Sequence, residues 1–479
     1  MDIKADSYLV HQRKSKDASN KLLNVKNKYL NFCGWVITLG GLVFGIDTGA
    51  TNGSLSFMAR SDQLNLNASQ EGLVTSGITL GAAFGAVSGG KLSDHFGRKK
   101  VLSFAAWIFI LGTLGCVFAP NAAVLIACRF LLGLAVGAES AISPVFLSEL
   151  ATTDDRGKLV NRHELMITSG QLLSYVVNAI FGVTLSHFHA VWRLMLGFGL
   201  IPEVLLLIGI HSIPESPRWL VAKSHIDEAS SVLKKVRDPE DDTGKEISEI
   251  NNSLALKGHQ KTATIKDLNI PWVRRLVLIG IGLGIMQQIV GVNIMMFYGT
   301  TVLTQSGFNH SAALIANIAN GIISVLATIL SIKLINKIDR KKMICTAVTG
   351  TTITMFLITV LSKRLSGSAA FPFVMIALMV IFLFFVQSGI SPVTWVLLSE
   401  IFPQSIRGMA MGIATFFLWF ANFLVGDLFP ILLSAIRLSH TFLVFTGTNL
   451  LALIFAVKFV PETRGKSLEE LQAEFKNQD

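Results

Sequence analysis

The chain has 479 residues, of which 51% are hydrophobic and 15% are charged, and its mean hydropathy is +0.56. Soluble domains carry about 25% charged residues, so this composition excludes an ordinary soluble protein and favours one with many membrane spans. The net charge is +10. The basic residues lie at the ends of apolar segments, which is typical of membrane topology and not of a nucleic-acid-binding protein.

The chain opens with a polar segment, residues 1–28, which is too long before the first apolar run to be a secretory signal peptide. Twelve apolar stretches near the spanning length of about 20 residues follow it. They cover approximately residues 29–54, 71–91, 101–119, 122–147, 164–187, 191–213, 272–300, 311–336, 343–362, 371–399, 408–434 and 438–460. The sequence therefore predicts an all-α membrane protein with twelve transmembrane helices.

The first span contains the run "GGLVFGIDTGA", which places the carboxylate of Asp47 inside the membrane. An ionised Asp at the bilayer centre costs about 2.5–3.5 kcal/mol even on insertion scales. Counted from the outer ends of the first and fourth spans, Asp47 and Arg129 lie at the same depth, so we expect them to pair. The pair is either a structural ion pair or a titrating pair, in which protonation of Asp47 releases Arg129.

Three further acids lie in apolar surroundings. Glu203 in the sixth span and Asp427 in the eleventh are expected close enough to the membrane interfaces to be solvated. Glu139 in the fourth span is expected to be either a second relay site or a residue of a cavity wall.

The only long polar insertion is 214–271, which divides the spans into two sets of six and contains the helix-favouring run "HIDEASSVLKKVRD". We expect a small cytoplasmic helical linker there. The predicted organisation is a cytoplasmic tail over 1–28, a six-helix lobe over 29–213, the linker over 214–271, a second six-helix lobe over 272–460 and a cytoplasmic tail over 461–479.

Short loops on one side of the membrane are basic and those on the other side are nearly bare. The basic side shares its face with both termini, so the positive-inside rule predicts that both termini are cytoplasmic. The residues of the basic set are Arg98, Lys99, Lys100, Arg156, Lys158, Arg162, Lys337, Arg340, Lys341, Lys342 and Arg407.

The seventh span carries Gln287, Gln288 and Asn293 around Gly291. A polyol needs side chains that both donate and accept hydrogen bonds, which amides do, and an aromatic face for its C–H surface. On an ideal helix Gln288 and Asn293 lie about 140° apart, so they face one cavity only if the helix bends at Gly291. The alternative is that these amides join helices. In the tenth span, Gly389 and the proline three residues later predict a bend, either a gate or a kink without gating.

Three motifs occur once in each half of the chain: E-x6-R followed by Gly, "SDHFGRKK" matched by "IDRKK", and "PESPRW" matched by "PETRG". This repeat predicts a two-lobed transporter with its site between the lobes near mid-membrane. Glu–Arg pairs at the cytoplasmic helix ends are expected to latch the lobes together when the site faces outward. The residues assigned to this latch are Asp94, Arg98, Glu149, Arg156, Glu215, Arg218, Asp339, Arg340, Glu400, Arg407, Glu462 and Arg464.

With these motifs the chain resembles the sugar porter family of the major facilitator superfamily over nearly its whole length. The runs that carry the resemblance are "GRKK", "PESPRW", "QQIVGVN", "SPVTWVLLSEIFPQSIRG" and "PETRGKSLEE". Within the family it is most similar to bacterial myo-inositol:proton symporters, through "QLNLNASQEGLVTSG", "HELMITSGQLL", "NIANGIISVLATI" and "ISPVTWVLLSEIFP".

The resemblance implies site residues as well as a fold. The acid of the family's "GYD" motif, which marks proton symporters, is Asp47 in "GID" here. The sequence departs from the family at three contact positions. Where the family has an Asn in the eighth span, sometimes a Gln in the eleventh and a first Tyr after "GVN", this chain has Ser324, Leu418 and Phe297. The implied substrate-binding residues are Gln171, Gln287, Gln288, Asn293, Tyr298, Trp395, Trp419 and Asn422.

These features predict secondary import of a polyol or sugar, best myo-inositol, by proton symport through the bacterial plasma membrane. The partners expected are the substrate, protons and the lipid bilayer, with the protein working as a monomer, without nucleic acid and without a cofactor or metal. The alternatives are a proton-coupled glucose, xylose or arabinose symporter, a facilitative uniporter and a transport-inactive sugar sensor. An enzyme is not expected, because the sequence has no P-loop, His/Glu metal motif or nucleophile elbow.

Overall fold

Long helices dominate the structure, a computed structural model that describes residues 2–151, 156–237, 241–259, 270–335, 337–403, 406–465 and 470, without the side chains of 2–27, 156–161 and 253–259. Within those residues, eleven helices are long and apolar enough to cross a membrane. Large apolar side chains such as Phe104, Leu111 and Phe118 lie exposed on them, as expected for lipid-facing surfaces.

The first half of the chain forms six spans from seven helices. The fourth helix begins at an Asn121 cap, whose side chain accepts the Val124 N–H. The sixth span is made of two consecutive helices. The helices are α1 (Asp2–Met58), α2 (Ala68–Phe96), α3 (Arg98–Val117), α4 (Ala122–Leu150), α5 (Arg156–Thr184), α6 (Val191–Gly197) and α7 (Leu200–Ser212).

Three short helices follow in the linker, and the second half of the chain then repeats the pattern of long spans. The linker helices are α8 (Pro217–Ala222), α9 (Ile226–Val236) and α10 (Thr243–His259). The later helices are α11 (Pro271–Ile289), α12 (Val292–Gln305), α13 (His310–Ala316), α14 (Ile318–Leu334), α15 (Arg340–Arg364), α16 (Phe371–Phe385), α17 (Ser391–Ile401) and α18 (Arg407–Phe459).

The last helix accounts for the difference between eleven long helices and the twelve spans that the sequence predicts. Its 53 residues would measure about 80 Å as one helix, far more than a bilayer core of about 30 Å. Arg437 has φ 63° and ψ 166°, which breaks the helix into two. The described residues therefore form twelve spans, and the predicted all-α fold is confirmed.

Two of the spans are broken near their middle, at the places where the sequence predicts bends. Gly291 has φ +94°, a conformation that favours glycine, and it separates α11 from α12. A π-helical turn over Val386–Ile390 separates α16 from α17, and Pro392 stands in the first turn of α17. Local breaks of this kind expose backbone groups and reorient side chains, and in transporters they occur beside the substrate site.

Two lobes pack side by side. In the first lobe α2 lies on α4 and α1 lies on α5, and in the second lobe α18 lies on α11 and α15. The lobes meet where α2 contacts α18, α5 contacts α14 and α1 contacts α12. We call the end of the bundle that carries Arg98–Lys100 and Arg340–Lys342 the basic face.

Candidate functional site: a buried ion pair and a polar cavity between the lobes

Asp47 on α1 and Arg129 on α4 form a buried ion pair. The Arg129 Nη1 donates to the Asp47 Oδ1 at 2.6 Å, and the two side chains are 1% and 8% exposed. The Arg129 Nε also donates to the carbonyl of Val74 on α2, so the guanidinium ties three helices together. The second carboxylate oxygen of Asp47 has no hydrogen-bond partner among the described residues. That free oxygen can take a proton without first displacing another donor.

The amide side chains assigned to the substrate are buried but have hydrogen-bonding capacity left over. Gln171 on α5, Gln287 on α11 and Asn422 on α18 each have an amide oxygen with no partner in the described part of the chain. Buried polar atoms are normally satisfied by protein or water. Three such amides, contributed by both lobes, therefore form a candidate site for a solute that is rich in hydroxyl groups.

Helix contacts bring these side chains towards one another. A Cβ at Gly45 on α1 would lie 3.0 Å from the Gln171 N, and the next residue back, Phe44, meets Trp419 edge-on with ring centroids 5.5 Å apart. Adjacent residues of α1 therefore contact the backbone of Gln171 in the first lobe and the ring of Trp419 in the second lobe. The indole Nε1 of Trp419 has no described partner, which leaves it free to donate to a substrate.

The break at Gly291 decides how the seventh span presents its amides. Asn293 Nδ2 donates to the Gln288 Oε1 at 2.6 Å, which an unbroken helix would not allow, because the two side chains would lie about 140° apart. The bend that the sequence predicts therefore joins these two amides directly.

Two of the assigned aromatic residues differ in their surroundings. Trp395 on α17 packs against the small cluster that contains Leu418 and Trp419. Tyr298 on α12 is fully buried, and its hydroxyl donates to the carbonyl of Gly426 at 2.7 Å. In this conformation Tyr298 fixes α12 to α18, and its hydroxyl is already engaged.

One further buried amide was not predicted from the sequence. Gln387 lies in the π-helical turn between α16 and α17, is buried, and has an amide oxygen with no partner among the described residues. The available signal was a single amide inside the apolar run "IFLFFVQSGI". The hydroxyl of Thr394, about two turns further on, is also buried and unpartnered among those residues.

Of the three acids outside the ion pair, one differs from its predicted surroundings. The expectation that Glu203 is solvated is wrong, because it is fully buried on α7. Asp427 is half-buried, as an interfacial position requires, and lies against Gly72 of α2. Glu139 is buried within the first lobe, on α4.

The charged residues of the repeated motifs form matching clusters at the basic face. In the first lobe the Arg98 guanidinium binds Glu149 through two hydrogen bonds of 3.0 and 3.2 Å. The carboxylate of Glu215 accepts the backbone N–H of Arg98, and burial raises the pKa of Glu215. Asp94 adds an ion pair to Arg98 at 2.9 Å, and Arg218 stands in the first turn of α8.

The second lobe repeats this cluster with its own residues. Arg340 binds Glu400 at 3.3 Å, and Glu462 accepts the backbone N–H of Arg340 at 3.1 Å. Asp339 pairs with Arg464 at 3.2 Å. The internal repeat seen in the motifs is therefore a repeat of contacts as well.

The latch is expected when the site faces outward, and it stays a prediction; in the conformation described, each of these pairs lies within one lobe. Glu149 binds Arg98 of its own lobe, and Arg407 donates to the carbonyl of Phe402. The side chain of Arg156 lies outside the described residues.

The lobes are instead joined at the end opposite the basic face. Asn52 on α1 donates to the carbonyl of Met296 at 2.6 Å and accepts from the Thr300 N–H and hydroxyl and from Asn317. Beside it, Ser56 meets the ring of His310 at 3.3 Å. This conformation is closed at the face away from the basic residues.

Comparison with known proteins shows a matching family and similar transporters. A family model described as "Sugar (and other) transporter" matches residues 33–475. The chain is similar to the major myo-inositol transporter IolT of Bacillus subtilis, with 49% identity over 95% of this chain and 97% of that protein. It is also similar to a D-xylose transporter of Levilactobacillus brevis, with 38% identity over 91% and 93% of the two chains.

Solved structures show the same architecture. The chain superposes on the inward open conformation of the xylose transporter XylE from E. coli with a TM-score of 0.80, at 30% identity and covering 93% of this chain and all of that one. A partially occluded inward open conformation of XylE gives the same TM-score at 29% identity, covering 92% of this chain.

Proposed function

The chain belongs to the sugar transporter family, and from that premise we propose that it imports a polyol, best myo-inositol, by proton symport through alternating access. Its similarity to a myo-inositol transporter at 49% identity supports the choice of substrate. The runner-up is proton-coupled import of a hexose or pentose, supported by the lower similarity to glucose and xylose transporters.

The observation that carries proton coupling is the buried pair of Asp47 and Arg129. Ionised, the two stabilise each other at 2.6 Å in an apolar part of the lobe. A proton on Asp47 removes the negative charge and leaves Arg129 without its counter-ion, which is costly at this depth. Arg129 then gains by turning to other acceptors, and the packing of α1, α2 and α4 shifts with it. Substrate bound in the adjacent cavity favours the same rearrangement, which couples the two ligands.

The side chains between the lobes suit a substrate that is uncharged and rich in hydroxyl groups. Gln171 and Asn422 offer amide groups from opposite lobes, Gln287 and Gln288 offer them from the broken seventh span, and Trp419 offers an aromatic face. A solute that bridges these groups favours closure of the lobes around it, because both lobes contribute hydrogen bonds.

We place the basic face in the cytoplasm of a bacterium, by the positive-inside rule, with both termini on that side of the inner membrane. On this assignment the conformation described is closed to the outside by the hydrogen bonds of Asn52. We expect one chain to be sufficient for transport, because both lobes and the amides assigned to the substrate belong to the same chain.

Uptake into vesicles with an imposed pH gradient tests the proposal. Wild-type protein is expected to accumulate labelled inositol, with unlabelled inositol competing better than glucose or xylose. Asp47→Asn is expected to abolish accumulation and to leave counterflow largely intact. Asp62→Asn, which removes an exposed carboxylate from a loop, is the matched control. Accumulation that a protonophore leaves unchanged would overturn symport, and better competition by xylose would favour the runner-up substrate.

A further inference from the structure

Glu139 and Glu203 form a buried carboxyl pair that the coupling mechanism above does not use. They are 2% and 0% exposed, and neither carboxyl has a hydrogen-bond donor from the rest of the described chain. Their side chains lie beside each other and interact electrostatically. Unlike Asp47, neither has an arginine partner among the described ion pairs.

The pair lies against the same helix that carries Asp47. A Cβ on Gly40 of α1 would lie only 2.6 Å from the Glu139 Oε2, so a larger residue there would displace the carboxyl. Gly40 precedes Asp47 by seven residues, which is two helical turns, about 10.5 Å, on nearly the same face of α1. The pair therefore lies between the Asp47 site and the basic face.

A buried hydroxyl lies next to the pair on the side of the basic face. Ser143 follows Glu139 by four residues on α4, one turn closer to the basic face and on the same side of the helix. It is completely buried, and its hydroxyl has no partner among the described residues. A hydroxyl can both accept and donate a proton, so it suits a position between an acid and the solvent.

Other charged or titratable groups lie on the helices around the pair, and none of them forms a described ion pair with Glu139 or Glu203. On α1 Asp47 is bound to Arg129, and on α3 Arg98 is bound to Glu149. On α5 the ring of His163 packs against Gly41 and its Nδ1 has no partner among the described residues, with Glu164 next to it in the chain. Lys91 of α2 is exposed near the basic face, and the His211 ring of α7 lies 2.8 Å from the Leu207 carbonyl. The titratable side chain that each carboxyl interacts with directly is the other carboxyl.

Two carboxylates in contact in an apolar environment cannot both be ionised, because each lacks solvation and they repel one another. Two acids that share a proton are the stable arrangement, as in aspartic proteases. The arrangement is costly for a purely structural contact, since an apolar pair of the same size would pack without it.

We propose that Glu139 and Glu203 are a second proton-binding site, which passes the coupling proton from Asp47 towards the basic face. This inference rests on the proposed symport. In the step, the O–H bond of the acid form of the pair breaks and its proton leaves through Ser143 and water. The proton of protonated Asp47 then crosses through water to the vacated carboxylate, and Asp47 returns to Arg129 as a carboxylate. No other species is consumed.

Infrared difference spectroscopy on purified protein, exchanged between H2O and D2O, tests the site without transport. The C=O stretch of a buried protonated carboxylic acid is expected in the wild type and in Asp47→Asn. It is expected to be lost in Glu139→Gln/Glu203→Gln and retained in the control Glu71→Gln, which removes a carboxyl near the opposite face. A spectrum of the double variant that matches the wild type would overturn the proposal.

Transport in vesicles tests the role of the site. The double variant is expected to lose about 5-fold or more of proton-driven accumulation, the lower end of coupling between two sites, with counterflow kept within about 2-fold. If the double variant lacks counterflow, Glu139→Gln and Glu203→Gln singly take its place, and each is expected to shift the infrared band and to reduce accumulation. Accumulation equal to the wild type would refute the relay. If the wild type itself fails to accumulate substrate, the symport is wrong, while the infrared result still decides whether the pair holds a proton.

Discussion

Replacing Asn52 by alanine should open the face of the transporter that is closed here. Asn52 makes four hydrogen bonds to the other lobe, through Met296, Thr300 and Asn317. All four are lost when the lobes separate at this end, so they stabilise the closed conformation and not the open one. The substitution therefore acts on the conformational equilibrium.

The size of the effect follows from the number of bonds. Hydrogen bonds between membrane helices contribute about 0.6 kcal/mol each on average, so four of them amount to about 2 kcal/mol. That is a shift of about 30-fold in the ratio of closed to open protein. The true value falls below this if water satisfies Thr300 and Asn317 in the variant.

Distances between spin labels at Ser61 and Ser368, which are exposed on opposite lobes at this end, measure the equilibrium. The population with the longer distance is expected to grow in Asn52→Ala. Ser54→Ala is the control, because the Ser54 hydroxyl bonds only within α1, to Thr51. An unchanged distance distribution in Asn52→Ala would refute the view that these bonds hold the lobes together.

Three further predictions concern the ion pair, the cavity and the basic face. Arg129→Leu leaves the Asp47 carboxylate buried without a partner and is expected to lower the free energy of unfolding by about 3–5 kcal/mol, and adding Asp47→Asn is expected to restore most of it. Thermal unfolding in detergent measures both variants. A melting temperature of Arg129→Leu equal to that of the wild type would contradict the buried pairing. Gln387→Leu removes one hydrogen bond to substrate and should raise KM about 2- to 10-fold in uptake kinetics, with the pH dependence unchanged; a normal KM would remove Gln387 from the site. Because burial raises the pKa of Glu215 above 4.5, the folded state binds its proton more tightly than the unfolded chain does. Stability from this group is therefore full below pH 4.5 and falls as pH rises through the folded pKa, and Glu215→Gln should remove that slope from a series of melting temperatures.

The fold was predictable because a bilayer leaves few choices. Every span needs about 20 apolar residues and satisfies its own backbone, so hydropathy alone locates the helices. The bends at Gly291 and in the tenth span were also predictable, because glycine and proline affect the backbone conformation at their own positions. The separation of the last two spans between residues 434 and 438 was predicted from span length, whereas the positive φ of Arg437 was not, because an arginine rarely adopts that conformation.

The candidate site was predictable in part. Asp47 and Arg129 could be paired from depth alone, because an unpaired charge in the membrane is too costly for either to stand by itself. The partners of Glu149 could not, because several guanidinium groups lie at the same level and sequence spacing does not say which one is nearest. The engagement of the Tyr298 hydroxyl by the Gly426 carbonyl likewise depends on how α12 packs on α18.

By itself, the sequence determined the membrane class, the twelve spans, the internal repeat and the side chains able to bind a polyol. These follow from composition, periodicity and residue chemistry, which are properties of short stretches of chain. Only the tertiary structure decided which charges meet, which amides keep free hydrogen-bonding capacity and which face is closed. It also brought Glu139 and Glu203 together from two helices 64 positions apart in the chain. Contacts of that kind depend on the crossing of helices in space, and no local pattern encodes them.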